Sequence, residues 1–139
     1  MAHTIHVDIV SAEGQLFSGE ATWVYVPGSQ GELGIAPRHA PLLTSLKAGE
    51  VRVQTEGQEE QLFYVGGGVL EVQPNLVTVL ADTGARARDL DEAQAQAAKQ
   101  RAEEALHGRG DKLQMAEAQA ELARAIAQLR AIERLRKQR

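Results

Sequence analysis

The sequence predicts a mainly β plus α chain. An N-terminal β-sandwich, or flattened barrel, occupies residues 1–88, and a C-terminal antiparallel two-helix hairpin occupies residues 89–139. Three observations carry this reading. All five aromatic residues, all four prolines and eleven of the 13 glycines lie before residue 89. After it, 13 of 51 residues are alanine. Charge divides at the same place: residues 1–88 hold 5 basic and 10 acidic groups, whereas 89–139 hold 10 basic and 9 acidic, for −4 overall. Two residue economies in one chain imply two structural units.

The strands follow from period-two patterning. Ile5, Val7 and Ile9 alternate with Thr4, His6 and Asp8, as in a half-buried strand. Residues 20–26 (EATWVYV) are β-branched and aromatic and stop at Pro27-Gly28. Trp23 and Tyr25 share a face of this strand, most simply the core face. Val51 and Val53 alternate with Arg52 and Gln54. Residues 61–65 (QLFYV) form a nearly continuous apolar run, which suits a strand covered on both faces. Residues 69–72 and 76–81 complete the series around Gln73-Pro74-Asn75. Turns are expected at Glu13-Gly14, Ser18-Gly19, Pro27-Gly28, Ala48-Gly49, Glu56-Gly57 and Gly66-Gly67-Gly68. Gly28–Gly34 reads as a structural turn: its spacing is neither a P-loop nor a dinucleotide fingerprint, and Pro37 and Pro41 forbid the helix that phosphates would need.

The helices follow from caps. Asp89 or Asp91 can cap the first, which runs to about His107 and stops at Gly108-Arg109-Gly110; Asp111 can cap the second, which runs nearly to Arg139. Ala95, Ala98, Ala102 and Ala105 mark the facing stripe of the first helix, and Met115, Leu122, Ile126, Leu129 and Ile132 the larger ridge of the second. An alanine methyl contributes only about 0.8 kcal/mol on burial, against about 1.5–3 kcal/mol for Leu or Ile. The hairpin therefore has little stability of its own and leans on the β-domain or on another protein, as a movable element does.

Composition excludes several functions. Without cysteine there is no disulfide scaffold, thiolate metal site or cysteine nucleophile. No apolar run approaches the roughly 20 residues of a membrane span, and MAHTIHVDIV is not a signal peptide, so a cytosolic chain is expected. A net charge of −4 argues against general nucleic-acid binding. His3 and His6 point to opposite faces of a strand and no HExxH pairing occurs, so no metal site is expected. No serine has a nucleophile-elbow context, the carboxylates are scattered, and Arg109-Gly110-Asp111 is a coincidental tripeptide between helices. One cluster stands out: Arg124, Arg130, Arg134, Arg136, Lys137 and Arg139 face only Glu133 over residues 124–139. It suits the helix dipole and also an arm that docks on an acidic protein surface.

Residues 31–46 (GELGIAPRHAPLLTSL) closely resemble a signature of the epsilon-subunit family of bacterial F-type ATP synthases. So do 66–83 (GGGVLEVQPNLVTVLADT) and 121–133 (ELARAIAQLRAIE), and the opening HVDIVSAEGQLFSGEA fits. The resemblance spans essentially the whole chain. It implies a β-sandwich bound to the gamma subunit and the c-subunit ring, in a central stalk that couples proton-driven rotation to ATP synthesis. It also implies a non-catalytic chain, peripheral on the cytoplasmic face of the bacterial inner membrane. Gly31, Glu32 and His39 match the segment that rests on the c ring, in loops stiffened by Pro27, Pro37 and Pro41. The hairpin matches a regulatory element whose second helix enters the alpha/beta catalytic head and blocks hydrolysis; Arg124, Arg130, Arg134 and Arg136 are then its expected contacts.

Some members of that family bind ATP through a run of the form Ile/Leu-Asp-x-x-Arg-Ala. Here the run is Leu90-Asp91-Glu92-Ala93-Gln94-Ala95, with Gln94 in place of arginine. Asp91, Gln94 and Arg124 thus outline a degenerate nucleotide site, and the expectation is no cofactor and weak or absent ATP binding. The alternative outside this resemblance is a stand-alone ligand-binding β-sandwich with a helical oligomerisation tail; a hydrolase comes third.

Overall fold

Eight strands form one hydrogen-bonded sheet that folds over on itself. The structure is a computed structural model describing residues 3–108 and 110–138. The strands are β1 (Ile5–Ser11), β2 (Gly14–Ala21), β3 (Trp23–Gly28), β4 (Gly31–Ile35), β5 (Leu42–Gln54), β6 (Gln61–Gln73), β7 (Leu76–Ala81) and β8 (Gly84–Arg86), in the order β2-β1-β7-β6-β5-β3-β4, with β8 paired to β6. β1 and β7 are parallel and every other pair is antiparallel.

The long strands β5 and β6 pair from Leu42↔Val72 to Val53↔Gln61 and run through both layers. At the Gly66–Gly68 triplet β6 changes its second neighbour, from β8 (Phe63–Val65) to β7 (Gly68–Gln73). The expected turns at Ala48-Gly49 and Gly66-Gly67-Gly68 are therefore bends inside strands, and the two strands expected over 61–65 and 69–72 are one. Gly67 and Gly68 have φ of +102° and +145°, which L side chains rarely adopt, so the triplet supplies the bend while the ladder continues. β2 and β4 were not expected as separate strands: β2 carries a register shift against β1 and β4 contains two glycines, and both features blur the period-two signal.

The core between the layers is built from Ile5, Val7, Ile9, Leu70, Val72, Val77 and Val79 on one side. Val24, Val26, Ile35, Val51, Val53, Phe63 and Val65 face them from the other. Because Val24 and Val26 take the core positions of β3, Trp23 and Tyr25 point outward and are only half-buried, contrary to the sequence expectation. Pro27 likewise lies buried within β3 and not in a loop.

α1 (Glu92–His107) is capped by Asp91, whose carboxylate accepts from the Gln94 backbone N–H at 3.1 Å. α2 (Lys112–Lys137) opens with a capping box: the Gln114 N–H donates to Asp111 at 2.7 Å, and the Asp111 N–H to the Gln114 side chain at 3.2 Å. Arg136 of the last turn of α2 meets Glu92 of the first turn of α1, so the helices are antiparallel. Their seam differs from the expected ridge. Ala95 and Ala102 of α1 and Ala118 and Ala125 of α2 are buried, whereas Met115, Leu122, Ile126, Leu129 and Ile132 are half-buried and Ala105 is exposed; Ala127 and Ala131 of α2 are buried against the sheet instead. Arg109 and Arg139, which fall in the expected interhelical stop and basic cluster, lie outside the described residues.

Candidate functional site

Two outer surfaces of the sandwich carry the chain's chemistry. On the first layer, outward positions of β1, β5, β6 and β7 lie side by side: Val10 pairs with Leu80, Leu80 with Val69, and Val69 with Ser45, beside Leu43. Leu43, Val69 and Leu80 are 69%, 40% and 50% exposed. Neighbouring exposed apolar side chains on one sheet face make it a candidate docking surface.

At the β2 edge of this same face stands a polar cluster. The His6 ring lies between two carboxylates, with Nδ1 2.7 Å from Glu20 and Nε2 2.9 Å from Asp8. Ser18 donates to Asp8 at 2.7 Å and Thr4 to Glu20 at 3.0 Å. Donation to Glu20, and then to Asp8, favours the imidazolium and raises the His6 pKa above its ordinary 6.5. The Ser18 hydroxyl, and then His6, lowers Asp8; His6, and then Thr4, lowers Glu20.

On the second layer α2 covers β5 and β6. Ala127 and Ala131 pack on Leu62, Tyr64 and Ala87, with Ala48, Leu90 and Leu135 at the margin. The apolar run at 61–65 is thus covered on both faces, by the core and by α2. The Tyr64 hydroxyl is buried there with no hydrogen-bond partner among the described residues. The uncovered half of this face shows Trp23 and Tyr25, with ring centroids 6.0 Å apart, and the Arg52 guanidinium 4.2 Å above the Tyr25 ring.

The residues singled out from sequence fall as follows. Gly31 (φ +135°) opens β4, and Glu32, also in β4, accepts from Arg52 at 3.0 Å. His39 sits in the loop over residues 36–41, its Nδ1 2.7 Å from the Ala40 carbonyl. Its neighbour Arg38 has φ +66°, a strained value for a non-glycine residue, fixed by its N–H bond to the Pro74 carbonyl. Gly31 and Glu32 are therefore strand residues, and only His39 belongs to a loop. Arg134 reaches Glu50 of β5, while Arg136 reaches Glu92 and Glu133. Arg130 is exposed. Arg124 is half-buried, and its Cδ would stand 3.2 Å from a Cβ placed on Gly66. The four arginines do not share one direction. Of the nucleotide-site residues, Asp91 is occupied as a helix cap and Arg124 makes no hydrogen bond to either of the other two among the described residues. No group of three or more metal-ligating side chains occurs among the described residues, and no described helix is long and apolar enough to cross a membrane.

Residues 4–87 match the model of the ATP synthase delta/epsilon chain beta-sandwich domain, and residues 88–133 that of the delta/epsilon chain long alpha-helix domain. The chain belongs to the ATP synthase delta/epsilon family. It is an epsilon-type subunit of that complex and is not itself catalytic, which removes the stand-alone ligand-binding sandwich and the hydrolase. ATP synthase epsilon chain 1 of Methylococcus capsulatus is 62% identical over 139 residues, covering all of this chain and 99% of the relative. The epsilon chain of Nitrosococcus oceani is 64% identical over 137 residues, covering 99% and 98%. The fold recurs in a chain of the Euglena gracilis mitochondrial ATP synthase assembly of OSCP, F1 and c-ring, with a TM-score of 0.82 at 16% identity over 93% of this chain and 81% of that one. It recurs again in the Tetrahymena thermophila mitochondrial ATP synthase central stalk and c-ring, at 0.65 and 12% over 94% and 97%. Sequence reasoning did not single out Leu43, Val69 and Leu80 as an exposed apolar face. The signal was faint: the doublets Leu42-Leu43, Val69-Leu70 and Val79-Leu80 each force one apolar side chain outward.

Proposed function

We propose that this chain is the epsilon subunit of a bacterial F-type ATP synthase central stalk, coupling c-ring rotation to the catalytic head and restraining ATP hydrolysis through its hairpin. The observation that carries this reading is the exposed apolar face of Leu43, Val69 and Leu80. It is a ready seat for the gamma subunit, with the His6 cluster as a charged rim of the kind that sets register at interfaces. The strained Arg38-His39 loop, with Gly31 and Glu32, is the candidate contact with the c ring. Glu32 is pre-oriented by Arg52, so less side-chain freedom is lost on contact.

The alanine seam supports the regulatory half of the proposal. A helix that meets the sheet chiefly through small side chains, over a Tyr64 hydroxyl with no hydrogen-bond partner among the described residues, gains little from docking. Released, α2 would offer Arg124, Arg130, Arg134 and Arg136 to acidic loops of the alpha/beta head. ATP binds the isolated chain weakly or not at all, because Gln94 offers no charge to a phosphate and Asp91 already serves the helix. The chain sits peripherally on the cytoplasmic face of the inner membrane through its partners alone. The test is ATP hydrolysis by an epsilon-depleted F-type ATPase core, with this chain added back whole or ended at Arg88. Inhibition by the whole chain, and binding without inhibition by the shortened one, is the expected result; failure of both to bind overturns the proposal.

A further inference from the structure

We propose that Glu50 masks one edge of Arg134: the pair holds the last turns of α2 on β5 and occupies the Nε edge of the guanidinium that an outside carboxylate would otherwise use. This rests on reading α2 as the inhibitory arm. Glu50 occupies an outward position of β5, across from Tyr64, and its side chain is only 12% exposed. Arg134 Nε donates to its carboxylate at 2.5 Å. A second polar tie lies on the opposite flank, where the Gln138 side chain donates to the Glu60 carbonyl at 2.9 Å. Between these ties the helix meets the sheet through Ala127, Ala131 and Leu135.

The packing around the ties is loose on both sides. A cleft of about 220 Å³ opens at the Arg134–Glu50 pair, between Arg130, Glu133 and Lys137. Another of about 360 Å³ lies beside Leu135 and Gln138, over Leu62 and Phe63. Apolar contact is non-directional and here sparse, so the directional polar ties set where the end of α2 rests. Arg134 is the one arginine of the set that joins α2 to the sheet by an ion pair among the described residues; Arg136 pairs within the hairpin. Its Nε–H cannot donate to Glu50 and to a partner carboxylate together. The Nη groups of Arg134, whose side chain is 46% exposed, remain open, but a partner carboxylate that takes the Nε edge must displace Glu50, which makes Glu50 the internal competitor for that edge.

The experiment uses the full chain, which lacks cysteine. Gln58→Cys and Gln119→Cys place spin labels on an exposed turn of the sandwich and an exposed position of α2, and the distance distribution is read by double electron–electron resonance. The same variants, unlabelled, are titrated into the epsilon-depleted ATPase core. With Glu50→Gln, the undocked fraction rises about two- to fivefold and the half-inhibitory concentration falls by a similar factor. The exchange Glu50→Arg with Arg134→Glu restores the original distances but loses inhibition, since the charge then facing the partner is reversed. Unchanged distances and unchanged inhibition in Glu50→Gln overturn the mask. Changed distances with unchanged inhibition support the mask and overturn the inhibitory reading of α2 beneath it.

Discussion

Gly68 runs so close to Leu80 that a Cβ placed on it would lie 2.1 Å from the Leu80 carbonyl oxygen and 2.9 Å from Ala81 Cα. The contact is backbone to backbone, so no side chain can yield, and the φ of +145° at Gly68 adds a conformational penalty. Gly68→Ala should destabilise the chain by about 2–4 kcal/mol, seen as a lower denaturation midpoint. Gly57→Ala, in an open turn with nothing within 4 Å, meets only the φ penalty and should cost less.

Tyr64 bears on the helix above it. Its hydroxyl is buried without a partner among the described residues while its ring packs under Ala127 and Ala131. Tyr64→Phe removes the orphaned group and keeps the ring, so α2 should dock more tightly by about 1 kcal/mol. Amide exchange in α2 should slow by roughly fivefold, and inhibition of the depleted core should weaken.

The His6 cluster makes stability depend on pH in a defined direction. The imidazole is raised above 6.5, so its contribution is complete below pH 6.5 and fades as pH rises through the folded value. Asp8 and Glu20 are lowered from 3.8 and 4.5, so theirs is complete above those values and fades as pH falls through the folded ones. The cluster therefore contributes fully between about pH 4.5 and 6.5. NMR titration should place the His6 midpoint above 6.5, Glu20→Gln should lower it, and His6→Asn should flatten the loss of stability above pH 6.5.

Leu80→Asp tests the proposed seat for the gamma subunit. Leu80 alternates with the buried Val79 and Ala81 and points to solvent, so the fold should tolerate the change. A charge in the middle of an apolar contact should weaken binding to isolated gamma subunit by about 30-fold or more. Calorimetry measures that loss, and an unchanged melting temperature separates it from unfolding.

Gln94→Arg tests the nucleotide reading. The wild-type chain should bind ATP weakly or not at all. Supplying the cation should tighten binding by about one to two decades. Equal, tight binding by both forms in calorimetry would show that other residues hold the nucleotide.

The sandwich-then-hairpin order was legible because composition changes so sharply near residue 88, and Asp91 and Asp111 announced both helices through their capping geometry. The strands were legible where the residues themselves carry the pattern, as in the alternation of β1 and of residues 51–54 and the apolar run of 61–65. The pattern failed at Ala48-Gly49 and Gly66–Gly68, because glycine signals a turn and a bend in the same way and only long-range pairing separates them. Trp23 and Tyr25 misled because their size suggested the core, yet the smaller Val24 and Val26 fit between the layers. The Arg134–Glu50 pair spans 84 residues and has no local signature. The same holds for the Leu43–Val69–Leu80 face, which is assembled from three strands.

The passage of β5 and β6 through both layers has a mechanical consequence. In a sandwich of two separate sheets, a sideways load on one layer is resisted only by side-chain packing. Here such a load enters two continuous backbones cross-braced by antiparallel pairing along both their halves. The faces cannot slide past one another without stretching covalent chain or shearing many hydrogen bonds at once. The domain should therefore behave as a rigid strut, whatever its helices do.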